Sequence, residues 1–254
     1  MPDLSVEAFG VAVVPHTDYV PVPDAASIHM HPARFEQESR GIPPEHRMLM
    51  VGYDTIDFAD QPDVSALALA ALGTPPCEQP LFLVRGMPRD STVAALAGLV
   101  QGSGWAGEDI GITQLEELGG TVIFDLLDWA VPEETGATVL ICDEPAIADA
   151  RLGGSLLAAV GLRVRTGEGP LRVLDCGEGA PGAVVESTAE HRFAGSGPCD
   201  GWLALHEALT AGLIGDGERI LIQARTPLHE GWLLLRAEAT ADLRLVRRVP
   251  DAAR

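Results

Sequence analysis

The sequence EDIGITQLEELGGTVIFDLLDWA, residues 108–130, has the pattern of a strand, a tight turn and a helix. Ile110 and Ile112 alternate with other residues, which predicts a short buried strand. After the Gly-Gly pair the apolar residues recur at helical spacing, which predicts an amphipathic helix. A strand-to-helix turn followed by glycines is where many α/β enzymes present a nucleophile. Here the side chains at that turn are the carboxylates of Glu116 and Glu117.

The chain has 254 residues, an apolar content of 46% and a formal net charge of −20 at pH 7. This predicts one domain with a sizeable core, made of an N-terminal half (about residues 1–150) and a C-terminal half (about residues 151–254). The negative charge argues against a nucleic acid or an anionic membrane as a partner, because like charges repel. The sequence has no apolar run long enough to span a bilayer and no secretory signal pattern, so we expect a cytoplasmic protein.

The sequence contains no lysine and no asparagine, so its 17 cations other than histidine are all arginines. A Schiff-base lysine, a lysine general base and any step that needs an asparagine side chain are therefore excluded. The four cysteines are far apart and form no C-x-x-C pair, so we expect no metal site and no cofactor. Cys142 and Cys176 end apolar runs and are interpreted as core thiols. His29 and His31 could ligate a metal only if their segment is a strand.

Strand-like and helix-like segments alternate along the chain, which predicts an α/β fold built from layers. Strands are predicted at residues 6–14, 81–85, 137–143, 155–164, 171–176, 219–224 and 231–237. Helices are predicted at residues 33–39, at 65–72 with Asp63 as N-cap, at 91–100 and at 199–211. Loops are predicted at residues 54–63, 144–151 and 177–197, which are polar or rich in glycine.

This order of segments resembles the condensing enzymes of the thiolase superfamily, and most closely their ketoacyl synthase III branch. Gly41-Ile42 with Arg47 is similar to the family's Gly-Ile…Arg turn. Residues 81–92 are similar to its strand and loop before a helix, and residues 109–130 to its nucleophile turn and central buried helix. The longest match covers residues 205–236, with GDGERILI at 215–222. The resemblance implies a thiolase-like layered α/β/α/β/α fold, shortened relative to the family.

The catalytic residues of that family are the part of the pattern that this chain lacks. The family uses a cysteine at the N-terminus of the buried helix, a histidine, and a second histidine or an asparagine. By this resemblance the cysteine position falls at Glu116 or Glu117, and the Gly-Gly register favours Glu117. The histidine loop is shortened and holds only His191, and Ser196 stands at the asparagine position. Glu117, Glu116 and His191 are therefore the candidate catalytic residues.

Alternative interpretations remain open for these and other side chains. Glu116 and Glu117 could be a solvated acidic turn that the helix dipole favours. His206 and His229 could pair near the C-terminal strands, although a helical His206 is more often on the surface. Cys199 could be a displaced nucleophile, but His206 would then lie two helical turns away, too far for contact.

Three hypotheses of function follow. The first is a non-catalytic subunit of the chain-length-factor type, a pseudoenzyme that pairs with an active ketoacyl synthase III-like protein in polyketide or fatty-acid-derived metabolism. A homodimer is the other assembly that the resemblance allows, and acyl carrier protein or acyl-CoA would be reached through the partner. The second is an active hydrolase, decarboxylase or cyclase of an acyl thioester, with Glu117 as general base. The third is a binding module unrelated to this family.

Overall fold

The computed structural model describes residues 3–22, 32–50, 63–86 and 92–248. His29, His31, Ser91 and all of the predicted loop 54–63 except Asp63 lie outside these residues. The strands are β1 Leu4–His16, β2 Tyr19–Pro21, β3 Arg47–Met50, β4 Leu81–Arg85, β5 Asp109–Ile112, β6 Ala137–Asp143, β7 Ile147–Asp149, β8 Ser155–Thr166, β9 Leu171–Glu178, β10 His191–Gly195, β11 Arg219–Arg225, β12 Glu230–Ala237 and β13 Arg244–Arg248. The α-helices are α1 Pro32–Glu38, α2 Val64–Leu72, α3 Thr92–Ser103, α4 Ile123–Ala130, α5 Ala183–Thr188 and α6 Asp200–Thr210.

One large mixed sheet runs through the molecule in the order β10-β11-β12-β9-β1-β8-β6-β4-β5, and β13 also pairs with β1. The neighbours β6, β4 and β5 are parallel, as the continuous apolar runs at 81–85 and 137–143 predict. A second, small sheet joins β2, β3 and β7. The predicted α/β fold class is confirmed. The two halves of the chain meet within the large sheet, because β1 of the first half pairs with β8, β9 and β13 of the second.

The main core contains α4 and α6, whose buried side chains pack with apolar residues from both halves of the sheet. The rings of Phe124 and Trp202 stack with their centroids 5.8 Å apart, and Phe9 meets Trp202 edge-on at 5.3 Å. The indole nitrogen of Trp202 donates to the carbonyl of Gly120, at 2.7 Å. The N-terminal end of α4 is therefore fixed against α6 by one hydrogen bond and by aromatic packing.

A second core lies on the other face of β1, β4, β6 and β8, where α2 and α3 cover the sheet. Asp63 caps α2 as predicted, since its carboxylate accepts from the amides of Ser65 and Ala66. Among the described residues between β9 and β10, the only α-helix is the short α5. This helix has no buried residue.

Four predictions from the sequence are wrong. The stretch 177–197 contains α5 and β10, and the loop 144–151 contains β7, because short elements at a sheet edge carry little hydrophobic period. The predicted buried strand at Ile110 and Ile112 is an exposed edge strand, in which Ile110 is 37% exposed. His206 is buried rather than on the surface, because it packs edge-on against Phe9.

Candidate functional site

The turn that carries the candidate carboxylates is a 3₁₀ helix, Glu116–Gly120, directly before α4. Two residues in this region that are not glycine have left-handed backbone angles, with φ of 69° at Gln114 and 46° at Glu116. Such conformations cost on the order of 1–3 kcal/mol each and persist only where the surrounding structure holds them. The turn between β5 and α4 is therefore strained, as functional turns often are.

Glu117 lies inside the protein, with only 4% of its surface exposed. Its Oε1 accepts a hydrogen bond of 2.6 Å from the hydroxyl of Thr226. Thr226 directly follows β11, and its hydroxyl oxygen also accepts from the His229 amide at 3.1 Å. Glu117 is therefore not part of a solvated acidic turn, because the β11–β12 turn covers it and supplies a donor.

The two glycines after Glu117 allow a third element to approach. A side-chain carbon placed on Gly120 would lie 1.9 Å from the carbonyl oxygen of Pro198, and one on Gly119 would lie 3.0 Å from Val84. Only glycine fits at Gly120, since real Cβ atoms do not come so close. The Gly-Gly pair thus brings the turn 196–198, where the resemblance places the family's asparagine, against the start of α4.

Ion pairs and hydrogen bonds hold the turn 196–198 in place. The carboxylate of Asp200 accepts from the amides of Ser196 and Gly197, both at 2.8 Å. Arg40 binds both oxygens of Asp143, at 3.0 and 2.5 Å, and a side-chain carbon on Gly197 would overlap Asp143 at 2.1 Å. The amides of this turn are occupied by the protein's own carboxylate.

Glu116 is half-buried beside Glu117 and points toward the end of β4. A side-chain carbon on Gly86 would lie 3.2 Å from its Oε2. The structure therefore brings both predicted carboxylates to one turn, with Glu117 against the β11–β12 turn and Glu116 against the end of β4.

His191 is not brought to this turn. It opens β10, which pairs in parallel with β11 so that His191 lies opposite Ile220. Thr226 follows Ile220 by six residues, which is about 20 Å along an extended strand. The Nε2 of His191 instead lies 2.8 Å from Glu218. The amide of Gly215, and then the His191 ring, lower the pKa of Glu218 below its usual range.

The remaining histidines of interest are also separate. His206 is buried in the main core, whereas His229 is exposed in the β11–β12 turn. Burial lowers the pKa of His206, against the effect of its hydrogen bond to the Val246 backbone. The alternative of a His206–His229 pair has no support from this arrangement.

Three of the four thiols are unsuited to nucleophilic chemistry. Burial raises the pKa of Cys142 and of Cys199 far above the usual thiol value, and it raises the pKa of Cys176 to about 12. The sulfur of Cys199 donates to the Ile141 carbonyl at 3.2 Å. Cys142 is a core thiol as predicted, while Cys176 is only half-buried. Cys77 is exposed and lies outside the candidate site. Thiols with a raised pKa carry little thiolate at neutral pH, so none of these three is an activated nucleophile.

Among the described residues, no group of three histidine, cysteine or acidic side chains could hold a metal ion. No helix in the described ranges is long and apolar enough to cross a membrane.

No protein-family model and no curated protein matches this sequence. Solved structures do match. The acyltransferase ChlB3 has a TM-score of 0.61 at 15% identity, over 95% of this chain and 99% of that chain. PksG, an HMG-CoA synthase from Bacillus subtilis, has a TM-score of 0.58 at 12% identity, over 94% and 81%.

A 3-oxoacyl-[acyl-carrier-protein] synthase III from Aquifex aeolicus matches with a TM-score of 0.53 at 14% identity, over 92% of this chain and 99% of that chain. At these identities the likeness concerns the fold. The chain has the thiolase-like fold of ketoacyl synthase III, as its sequence predicts.

The sequence did not reveal the residue that contacts Glu117. Thr226 lies 109 residues away and belongs to no pattern before the pairing of β11 with β12 is known. The Arg40–Asp143 pair likewise joins residues 103 apart. The one feature of the sequence that predicts packing at this turn is the Gly-Gly pair, because adjacent glycines allow another backbone segment to approach closely.

Proposed function

We propose that this chain is a non-catalytic, ketoacyl synthase III-like subunit that pairs with an active condensing enzyme in polyketide or fatty-acid-derived specialised metabolism. The observation that carries the proposal is Glu117. A buried carboxylate, held by the Thr226 hydroxyl, occupies the turn at which the resemblance places a cysteine nucleophile.

A carboxylate is a poor substitute for that cysteine. It is a weak nucleophile toward thioesters, and the mixed anhydride that it would form hydrolyses readily. Condensing chemistry of this type also needs donors that hold the thioester carbonyl. The chain has no asparagine, and His191 lies about 20 Å away along the strand direction. These features support a scaffold whose own condensing activity is lost.

The free edge of the large sheet supports the second part of the proposal, pairing with a partner. Within the described part of the chain, β5 is the terminal strand and pairs only with β4. Its first three residues are exposed, and Ile110 adds an apolar side chain there. Edge strands present unpaired backbone groups that readily add another strand. A synthase subunit, or a second copy of this chain, would cover this edge.

Co-purification with a synthase tests the proposal. The tagged chain would be co-expressed with the intact ketoacyl synthase III-like proteins encoded beside it, and the mass of the complex measured by light scattering after size exclusion. We expect a hetero-oligomer whose synthase activity or product length depends on this chain. The chain alone should not condense an acyl-CoA with a malonyl carrier.

A matched pair of surface variants locates the contact. Ile110→Lys places a charge on the edge of β5, whereas Leu152→Lys changes an apolar residue that is 80% exposed elsewhere. We expect only Ile110→Lys to dissociate the complex, with both variants as stable as the natural chain. A stable monomer that co-purifies with no neighbouring synthase would refute the proposal.

The competing function is an acyl-thioester hydrolase, decarboxylase or cyclase that uses Glu117 as general base. The observation in its favour is that Glu117, which the resemblance places at the family's nucleophile position, is a buried carboxylate with a hydroxyl 2.6 Å away. Glu117→Gln removes the base and keeps an oxygen that can accept from Thr226. Loss of thioester turnover in this variant with the fold intact would establish the enzyme, and absence of turnover in the natural chain would exclude it.

A further inference from the structure

The structure has a cavity of about 760 Å³ on the outer face of the sheet, between α2 and α3. Glu117 and Glu116 do not line it, so it is separate from the candidate site described above. Pockets of about 300–1,000 Å³ are the size that holds small organic ligands in proteins. Nothing in the proposed subunit function requires this space.

The helices α2 and α3 contact each other, and several of the residues with which they border the cavity are small. Ala66 and Ala70 of α2 line the cavity, as do Gly98 and Gly102 of α3. A side-chain carbon placed on either glycine would have nothing within 4 Å, apart from its own helix. Glycine within a helix costs about 1 kcal/mol relative to alanine. The chain thus has two unfavourable helical residues where larger side chains would narrow the cavity.

The cavity has a buried apolar floor and a solvent-exposed mouth. Leu69 and Leu99 are 5% and 3% exposed and form part of the floor. The part of the lining that is open to solvent includes Cys77, Glu78 and Ser103, together with the small residues of both helices. The lining follows α2 from end to end, which corresponds to about 15 Å at 1.5 Å per residue. An elongated molecule can therefore enter without displacing core side chains.

Among the described residues, the charged side chains that line the cavity are the carboxylates of Asp63 and Glu78. Two arginines lie behind this lining and are engaged by the protein: Arg163 donates to the Gly73 carbonyl and lies over the Trp105 ring, and Arg244 donates to the Ala71 carbonyl. The net charge of −20 adds a long-range repulsion of anionic ligands. A carboxylate head group would therefore be disfavoured, while an uncharged chain would gain from burial against Leu69 and Leu99.

From these features we propose that the α2–α3 cavity is a binding site for an uncharged, elongated apolar molecule. The site is independent of the proposed pairing with a synthase, because it uses neither Glu117 nor the exposed face of β5. It ends close to that edge, since Gly107 lines the cavity and β5 begins at Asp109.

Fluorescence titration of the full chain with Nile red, an uncharged apolar dye, tests the site. We expect saturable binding of one dye per chain. In competition, 1-decanol should displace the dye at concentrations about tenfold lower than decanoate at neutral pH, because only decanoate carries the disfavoured charge. Equal competition by the two compounds would overturn the assignment of an uncharged ligand, and absence of saturable binding would overturn the site.

Variants on one helix provide the matched control. Gly98→Leu fills the cavity, whereas Ala97→Leu adds the same side chain at the neighbouring exposed position, which does not line it. We expect Gly98→Leu to weaken dye binding by about tenfold or more and Ala97→Leu to change it by less than about twofold. Similar binding by both variants would refute the site.

Two further measurements do not depend on the folding of Gly98→Leu. Ala70→Phe fills the cavity from the opposite helix and should weaken binding as strongly. In the natural chain, bound decanol should slow the alkylation of Cys77 by iodoacetamide, which mass spectrometry distinguishes from the buried Cys142 and Cys199. Unchanged dye binding in Ala70→Phe, or unchanged alkylation of Cys77 at saturating decanol, would count against the site.

Discussion

The contact between Glu117 and Thr226 joins the strained turn before α4 to the turn between β11 and β12. Thr226→Val keeps the shape of the side chain and removes the hydroxyl donor. We expect the free energy of unfolding to fall by about 1–3 kcal/mol, the usual cost of depriving a buried polar group of a partner. Urea unfolding measures this loss. Thr226→Ser, which retains the hydroxyl, should recover most of it, and equal stability of Val and Ser variants would contradict the role of the hydrogen bond.

The buried ring of His206 makes stability depend on pH. Burial lowers its pKa below the unfolded value of about 6.5, so the unfolded chain takes up the proton first. Stability is therefore fully present above pH 6.5 and falls as the pH decreases, by at most about 1.4 kcal/mol per pH unit.

His206→Gln should flatten this dependence, since an amide does not titrate. The measurement is the urea unfolding free energy of both proteins between pH 7.5 and 5.5. Parallel curves for the two proteins would show that another group is responsible.

Single residues show what the sequence alone can predict. The close approach of another backbone at Gly120 follows from the Gly-Gly pair, because a glycine pair before a helix has a local steric meaning, whereas a catalytic role of Glu117 stays a prediction. The partner of Glu117, the environment of His206 and the separation of His191 from Glu117 all depend on strand pairing, which no local pattern encodes.

At the scale of elements, the crossing of α4 and α6 depends on one glycine. Gly120→Ala places a methyl group 1.9 Å from the Pro198 carbonyl oxygen, so the two helix starts must separate. We expect a loss of about 1–3 kcal/mol in the free energy of unfolding, as for other overpacked sites. Gly98→Ala is the matched control, because its new methyl group has nothing within 4 Å and should stabilise α3 by about 0.5–1 kcal/mol. Thermal or urea unfolding of the two variants should give shifts of opposite sign, and equal shifts would contradict this account.

The elements that the sequence identified well are those with a strong period or a continuous apolar run. The strands β4 and β6 and the helices α2 and α6 are found close to their predicted positions. The short β7, α5 and β10 were missed, since three to six residues at an edge bury too little surface to leave a pattern. The alternation of Ile110 and Ile112 with other residues could not reveal that β5 is exposed. A buried strand and an exposed edge strand can both have an apolar side chain at every second position.

At the scale of the whole molecule, neither half of the chain completes the large sheet by itself. The strand β1 pairs with β8 and β13, and β6 also pairs with β8. A fragment of residues 1–150 would therefore leave both β1 and the β6 edge without their neighbours. We expect this fragment to be digested by trypsin or thermolysin under conditions in which the full chain is resistant. A protease-resistant, cooperatively unfolding fragment would show that the N-terminal half is autonomous.

The central place of β1 has a consequence for how the protein is made. Its pairing with β13 joins Ala8 to Arg244, so β1 leaves the ribosome long before the strand with which it pairs. Chains with such distant contacts fold slowly, because a long loop must close before the contact can stabilise it. The nascent chain carries β1, an apolar strand of 13 residues, without this neighbour until residues 244–248 have been synthesised. Efficient production of this protein should therefore depend on chaperones that shield the N-terminal strand during synthesis, and on slowing synthesis by growth at low temperature.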